Sequence, residues 1–385
     1  MKRLASPVFF ILMIVGLVGI LQYENSGQDL KTEMYEVRAT VISVNNESLV
    51  EMGTARIGGQ HVTAILQQGE AKGQTVIGVN QLTGQPEMDE LFHPGDTILM
   101  AVRMADGRAV EARAVNQYRQ GWELGLFGLF IIILLIYARS IGLKALFSFI
   151  TSFYIIWKFF IPGLLEGGNP ILLTVVTLTL LTVVIITCVA GFSRVTVVAT
   201  LGTLSGLLLA LGLTLFFGEK LKLAGMTAPF VTLLIFSGHY TLDLLDIFYA
   251  SVILGASGAA MDIAMDVSAS MNEVLDKKPD ITRNELIKSG FNVGRMVTGT
   301  MTTTLLLAYS GGYLTMLMVF VTKGTSFTRM LNFKLVAAEI FRTLVGSVGL
   351  VMVAPITAVL AGFILCGVNA SRHSTDSSPE DSDTL

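Results

Sequence analysis

Long apolar runs constrain the fold of this sequence more than any other feature. Several of them, such as 170–191 and 195–217, approach the roughly 20 residues that one helix needs to cross the apolar core of a bilayer. Of the 385 residues, 52% are hydrophobic and 14% are charged, against about 45–50% and 25% in soluble domains. The sequence therefore predicts a mostly α-helical, polytopic membrane protein.

The first apolar run, Leu4 to Leu21, follows Lys2 and Arg3. Basic residues before an apolar run of this length are typical of a start-transfer helix whose amino end lies in the cytoplasm. A cleaved signal peptide is the alternative, but no clear small-x-small cleavage motif precedes Gln22. We therefore predict a transmembrane anchor over residues 1–22.

Residues 30–118 differ in character, because short alternating runs replace the long apolar ones. The run from Tyr35 to Val41 alternates apolar and polar side chains as a half-buried strand does, and similar runs recur after it. Turns rich in glycine and proline separate them, and Asp106-Gly107 is the clearest hairpin signal. The sequence predicts a small all-β extracytoplasmic domain, a barrel or sandwich of about five strands.

A polytopic membrane domain is predicted over 122–366, which gives the whole chain about eight or nine membrane-spanning helices. Arg139 and Lys144 lie between the first two of its helices, and Arg194 lies between the third and fourth. The positive-inside rule places both of these short loops in the cytoplasm. The first four helices are expected at 122–138, 142–161, 170–191 and 195–217.

The segment 227–273 is far longer than one span needs at about 1.5 Å of rise per residue. It holds either two full spans, or a short re-entrant element, a break at 237–240 and one long helix. The apolar part before the break is short, which favours the broken form. The loop 276–295 is then cytoplasmic.

Two further helices are expected at 296–321 and 340–366. Under this topology the basic residues between Lys323 and Arg342 lie outside, which conflicts with the positive-inside rule and leaves the span count open. The tail 367–385 is rich in serine and aspartate without apolar periodicity, so we predict that it is disordered.

One face of the predicted long helix is small and acidic. At 100° per residue seven side chains fall within an arc of about 80°: Ser251, Gly255, Gly258, Asp262, Asp266, Ala269 and Glu273. An ionised side chain at the bilayer centre costs at least roughly 2.5–3.5 kcal/mol, so such residues usually line a pathway, relay protons or pair with a cation. Asp262, assisted by Asp266 and Glu273, is the principal candidate for ion or proton coupling. In the alternative, all three are solvated charges near the cytoplasmic boundary.

Three further groups are candidates. His239, Asp243 and Asp246 follow the predicted break, as a second polar cluster or simply as the interfacial end of the helix. A polar helix facing the acidic one carries Arg295, Thr298, Thr302 and Thr303, whose hydroxyls either line a polar path or bond to their own helix. Glu339 and Arg342, three residues apart, are predicted to form a structural ion pair.

Several classes of function find no support in the sequence. The net charge of −3 and the lack of a basic tract exclude a nucleic-acid footprint. Two cysteines in apolar runs and four scattered histidines predict neither a disulfide framework nor a metal site. No nucleophile elbow, phosphate loop or His-Glu-x-x-His motif is present, so we expect neither an enzyme nor a cofactor.

The carboxy-terminal half resembles the YibE/F family of bacterial membrane proteins. The resemblance rests on the segments Gly255 to Met265, Ser270 to Glu273, Ser289 to Arg295, Gly299 to Met301 and Glu339 to Ser347, followed by Pro355. It implies an anchor, a small exported β-domain and a membrane core in the cell (cytoplasmic) membrane, but no substrate. Two segments show a looser likeness to resistance-nodulation-division and SecD/SecF proteins. The segment from Gly258 to Asp262 resembles the aspartate-bearing helix of those proteins, and Thr302-Thr303 resembles part of the helix that follows it. Ile263, however, stands where many of those transporters carry a second aspartate.

Two hypotheses follow. The first is a proton- or cation-coupled transporter or export factor that works through Asp262. The second is a non-transporting scaffold whose β-domain binds an envelope partner while the helices anchor it in the lipid bilayer. Both hypotheses are compatible with an oligomer.

Overall fold

The computed structural model describes residues 34–53, 55–105 and 107–375. The predicted anchor over 1–22 and the end of the tail, 376–385, lie outside the described residues. Contacts divide the chain into two units, 1–130 and 131–385, and each unit is described by itself.

The first unit contains a closed β-barrel. One sheet has the strand order β1-β5-β6-β4-β3-β2, and β1 also pairs with β3, which closes the barrel and leaves β2 at its edge. All neighbouring strands are antiparallel except β4 and β6. This closed order, with β1 shared between β3 and β5, is that of the OB-fold, a Greek-key barrel. The strands are β1 Met34–Asn45, β2 Leu49–Met52, β3 Ala55–Leu66, β4 Thr75–Thr83, β5 Thr97–Ala105 and β6 Arg108–Gln117.

The alternation seen in the sequence builds the core of the barrel. In β4 every second side chain is buried, beginning with Val76. Gly78 lies close to β6, because a Cβ there would lie 3.1 Å from the Ala112 carbonyl oxygen and 2.5 Å from the movable end of the Met100 side chain. The predicted hairpin joins β5 and β6, whose first pair is Ala105 with Arg108. The predicted small β-domain is therefore confirmed as a barrel.

A loop between β4 and β5 is held by buried amides and one carboxylate. Gln60, fully buried, donates to the Phe92 carbonyl at 2.9 Å and accepts from the Phe92 N–H at 3.0 Å. Asp89 accepts hydrogen bonds from the Thr83 N–H and hydroxyl, the Gly84 N–H and the Gln85 N–H, at 2.6–3.0 Å. Desolvation raises the pKa of the Asp89 carboxyl, but these hydrogen bonds together hold it below its usual value.

We expect Asp89→Asn to destabilise the barrel by about 1 kcal/mol at pH 7, because an amide replaces the half-exposed carboxylate that accepts these charge-assisted hydrogen bonds. A carboxyl whose pKa is depressed by folding contributes fully above its unfolded pKa of about 3.9 and loses that contribution as the pH falls through the folded value. Urea unfolding of a 33–117 fragment, followed by circular dichroism from pH 7 to 3, should show the difference shrinking. Glu87→Gln in the same loop is the control, and an equal loss there would contradict the assignment.

Ten α-helices follow the barrel in the part of the chain that the structure describes. They are α1 Gln120–Tyr154, α2 Ile161–Leu165, α3 Pro170–Ala190, α4 Arg194–Lys220, α5 Val231–Phe236, α6 Leu244–Lys277, α7 Arg283–Gly312, α8 Leu314–Thr322, α9 Phe327–Leu331 and α10 Lys334–Thr375. Within the described residues five helical stretches are long and apolar enough to cross a bilayer, or six if α7 and α8, which meet at 66°, form one span. The prediction of about eight spans is not supported there.

The break that the sequence predicts near Arg139 is present. A π-helical turn, Ile155–Phe160, joins α1 to α2, and Gln120–Leu165 forms one continuously hydrogen-bonded stretch of 46 residues. Within it Arg139, with φ of 47° and ψ of −121°, is not helical, and two helices meet there at a kink. A Cβ at Gly142 would lie 2.7 Å from the carbonyl oxygen of Leu134, eight residues earlier, whereas eight residues of straight helix rise by about 12 Å. The chain therefore bends sharply at Arg139, between the two helices predicted from the sequence.

The predicted loop 276–295 is mostly helix. A capping box begins α7 early, because Thr282 Oγ1 accepts from the Glu285 N–H at 3.3 Å and Glu285 Oε2 accepts from the Thr282 N–H at 3.2 Å. The predicted helix 296–321 is instead bent at Tyr313, between α7 and α8. The last helix continues to Thr375, so the tail predicted to be disordered from 367 is helical over its first nine residues.

The long helices pack through small residues. The most extensive contact joins α4 and α10, where Cβ atoms built at Gly202 and Gly206 would lie 2.1 Å from Thr357 Oγ1 and 2.2 Å from Val353 Cγ2. Such close approach needs residues without side chains, as in small-xxx-small packing. Helices α3, α6 and α7 complete this bundle.

Candidate functional site

Helix α6 carries the candidate site and has two opposite faces. The small and acidic face predicted from the sequence is exposed along its whole length, from Ser251 to Glu273. The apolar side faces the bundle, where Ile253, Ile263 and Val267 are at most 1% exposed. The broken form of this region is present, since the six-residue α5 precedes α6 and Gly238, with φ of 98°, lies between them.

Contacts between the helices show at which level of the bundle the Asp262 and Asp266 carboxylates lie. Gly294 of α7 lies against Ala354 of α10 and Val267 of α6. Ala354 is in the middle of 343–370, a stretch of α10 without any charged side chain. Asp266 adjoins Val267, and Asp262 lies about 6 Å from Asp266 along the helix axis. Both carboxylates are therefore level with the apolar part of the bundle and not with the loop that follows Lys277.

Glu273 lies apart from the other two carboxylates. It forms an ion pair with Lys277, 2.9 Å from Glu273 Oε1 to Lys277 Nζ, and both side chains are largely exposed. Exposed pairs of this kind contribute little to stability. Glu273 therefore has a local partner at the end of α6, whereas Asp262 and Asp266 take part in no ion pair among the described residues.

The predicted polar helix is α7. Some of its polar side chains bond to their own helix, and others are exposed and could line a polar path. Thr302 donates to the Thr298 carbonyl of its own helix at 2.9 Å, as the structural interpretation expects. The Thr298 hydroxyl is buried without a hydrogen-bond partner among the described residues. Arg295 and Thr303 are exposed. Arg295 and Thr303 are thus accessible to something outside the described chain, whereas the buried Thr298 hydroxyl is not.

His239, Asp243 and Asp246 do not form one hydrogen-bonded group. Asp243 is the N-cap of α6, because its Oδ1 accepts from the Leu245 N–H at 3.1 Å and the Asp246 N–H at 3.0 Å. The Nδ1 atom of His239 is buried, and in the described part of the chain it has no partner. The geometry gives Asp243 a structural role and brings no carboxylate to the histidine.

The predicted ion pair between Glu339 and Arg342 is present on α10. Arg342 Nη1 lies 3.4 Å from Glu339 Oε1, and the two side chains are only 16% and 12% exposed. The Arg342 guanidinium also lies 5.3 Å from the centroid of the Phe248 ring. A cavity of about 210 Å³ beside the α7–α8 bend is lined by apolar side chains and by Tyr309, Ser310, Tyr313, Glu339 and Thr343.

Comparison with known families fits this division of the chain. The model of the YibE/F family N-terminal domain matches residues 33–117, which is the barrel, and the YibE/F-like protein model matches residues 126–367. The chain belongs to the YibE/F family. No curated protein and no solved structure gives a significant match.

Two features of this YibE/F protein were missed in the sequence. The glycine pair at the α4–α10 contact was visible as Gly202-xxx-Gly206-xxx-Ala210, a spacing that predicts close helix packing. Phe248 and Tyr309, which lie beside the buried ion pair and the cavity, gave no local signal, because both come from other helices. Within the described residues no group of three or more metal-ligating side chains is close enough to hold an ion.

Proposed function

We propose that this YibE/F protein is a proton- or cation-coupled membrane transporter or export factor in which the Asp262 carboxylate is the coupling group. One observation carries the proposal: Asp262 lies on the exposed small face of α6, level with a stretch of α10 that has no charge. Insertion scales put the cost of such a charge at no less than roughly 2.5–3.5 kcal/mol. A position this costly is expected where binding or releasing a positive charge has a use.

The neighbours of Asp262 suit such a role. Gly258, one turn earlier on the same face, has no heavy atom within 4 Å of a Cβ built there and leaves room for water or for another helix. Gly255, two turns earlier, lies against the Tyr309 hydroxyl, 2.9 Å from a Cβ built there. Asp266, one turn later, is a second carboxylate with which a proton or a cation would be shared. We propose a location in the cell membrane, with the amino terminus in the cytoplasm and the barrel outside.

A scaffold is the second candidate, and the barrel supplies its supporting observation. The outer face of the β3–β4 pair exposes Ile65, Ile77 and Val79 by 40%, 68% and 37%. An exposed apolar patch on a soluble domain is a common docking surface for another protein. In this alternative the β-domain binds an envelope partner, and the carboxylates of α6 have no coupling role.

Asp262→Asn separates the two proposals. If Asp262 binds the coupling ion, the variant should reach the membrane in normal amount but fail to complement a gene deletion. In liposomes containing a pH-sensitive dye, its ion flux should fall to that of protein-free vesicles. Asp276→Asn, a matched change at the exposed end of the same helix, should retain activity.

The opposite pattern would favour the scaffold. Full complementation by Asp262→Asn together with loss of complementation by Ile77→Lys would rule out coupling through α6. It would assign the phenotype to the apolar face of the barrel.

A further inference from the structure

Two exposed polar faces lie on neighbouring helices of the membrane bundle. The acidic face of α6 is defined by Ser251, Gly255, Gly258, Asp262, Asp266, Ala269 and Glu273. The basic face of α7 is defined by Lys288, Asn292, Arg295, Gly299 and Thr303, which share one side of that helix at 100° per residue. All of these residues are exposed in the single chain. Each face therefore needs a covering that the described chain does not supply.

The two faces match in depth. Helices α6 and α7 are antiparallel, and a Cβ at Gly290 would lie 2.4 Å from Met271 Sδ, whereas one at Gly294 would lie 3.7 Å from Val267 Cγ2. Moving one residue towards the carboxyl end of α6 therefore corresponds to moving one residue towards the amino end of α7, since both helices rise by about 1.5 Å per residue. Asp266 is one residue before Val267, and Arg295 is one residue after Gly294. Asp266 and Arg295 therefore lie at about the same depth.

Their charges are opposite but unpaired. Within the residues that the structure describes, neither Asp266 nor Arg295 takes part in an ion pair. Side chains ionised at this depth and facing lipid would each cost roughly 2.5–3.5 kcal/mol or more. Pairing them across an interface offsets much of this cost, because each charge gains an opposite neighbour. Glycines at 258 and 299, with open space around them, allow close helix approach.

We propose that these faces are the interface between copies of this chain, with the acidic face of α6 in one copy against the basic face of α7 in the next. Rotation about the membrane normal leaves every residue at its own depth. Only opposite charges of equal depth can therefore meet in a symmetric membrane oligomer, and Asp266 and Arg295 satisfy this condition. The partner's Arg295 thus completes the site that contains Asp262 and Asp266.

The apolar segment Leu4 to Leu21 is the other candidate for covering α6. It contains no charged side chain, so it would bury Asp262 and Asp266 without supplying a cation. A second copy supplies a guanidinium at the required depth. Charge complementarity therefore favours the second copy.

A charge-swap mixing experiment on the full chain tests the interface. Two differently tagged versions are coexpressed, and their association is measured by copurification and by fluorescence transfer in liposomes. Asp266→Arg alone and Arg295→Asp alone should each weaken self-association more than about tenfold, because like charges then meet. In the mixture of the two variants, association between the different variants should be restored, since each contact between them again joins an arginine to an aspartate, whereas copies of the same variant should still associate weakly.

Two outcomes would overturn the proposal. One is self-association of either variant at the wild-type level. The other is a mixture that associates no better than the variants alone, as pairing of Asp266 with Arg295 inside one chain would predict. Monodispersity of each variant in detergent shows whether it is folded.

A cysteine cross-link provides a second measurement that keeps both charges. In chains with Cys188 and Cys366 replaced by serine, a copy with Ala269→Cys on the acidic face should cross-link, through a short bifunctional reagent, to a coexpressed copy with Asn292→Cys, which lies at the same depth on the basic face of α7. Gly212→Cys, exposed on α4, replaces Ala269→Cys in the matched control and should not cross-link. Equal cross-linking at the two positions would contradict the interface. The inference goes beyond ion coupling, since Asp262→Asn should abolish flux and leave association intact.

Discussion

Gly202→Leu is expected to prevent α4 and α10 from packing, and so to destabilise the membrane bundle by about 3 kcal/mol, at the upper end for overpacked cores. A Cβ at this position would lie 2.9 Å from Thr357 Cβ and 3.2 Å from its Cα. The backbone of α10 would have to move, because a rotamer change of Thr357 cannot clear its own Cα. The thermal midpoint in detergent, read as the monodisperse fraction in size-exclusion chromatography, should fall by several degrees or more.

Gly212→Leu is the matched control on the same helix. No heavy atom lies within 4 Å of a Cβ built there, and glycine is about 1 kcal/mol less favourable than good helix formers inside a helix. The control should therefore be neutral or slightly stabilising. Equal midpoints for the two variants would mean that the α4–α10 contact does not hold the bundle together.

Glu339→Ala should destabilise the bundle by about 3–5 kcal/mol, since it leaves the Arg342 guanidinium buried without its partner. The contact with the Phe248 ring offsets only part of this penalty. Replacing both residues, as in Glu339→Leu with Arg342→Met, should recover much of the lost stability, because no buried charge then remains. The same detergent assay compares the single and double variants.

The destabilisation caused by breaking an ion pair depends on how exposed the pair is, and a second, exposed pair in the same chain provides a comparison. Glu273 and Lys277 also form an ion pair, but their side chains are 64% and 75% exposed. Glu273→Ala should therefore change stability by less than about 1 kcal/mol. A double variant at 339 and 342 no more stable than Glu339→Ala would show that the pair is needed for more than mutual neutralisation.

For the acidic face of α6, the sequence predicts which side chains share a face but not how deep they lie. Helical periodicity correctly put Asp262, Asp266 and Glu273 on one side of a single helix. It gave no depth, because depth depends on the register between α6, α7 and α10, which glycine contacts set. The Thr282–Glu285 capping box was readable in the sequence, but α7 was predicted to start 13 residues later because charges before Arg295 were taken to indicate a loop.

The sequence by itself determined the local elements of this protein. Alternating side chains specified the strands of a small barrel, and apolar runs specified the long helices, because hydrophobic periodicity is a property of neighbouring residues. Tertiary structure alone decided which helix faces are buried in protein. In a bilayer an apolar face can pack equally well against lipid or against another helix, so composition does not distinguish the two. That choice leaves Asp262 and Asp266 on the uncovered side of α6, with Ile263 and Val267 inside the bundle.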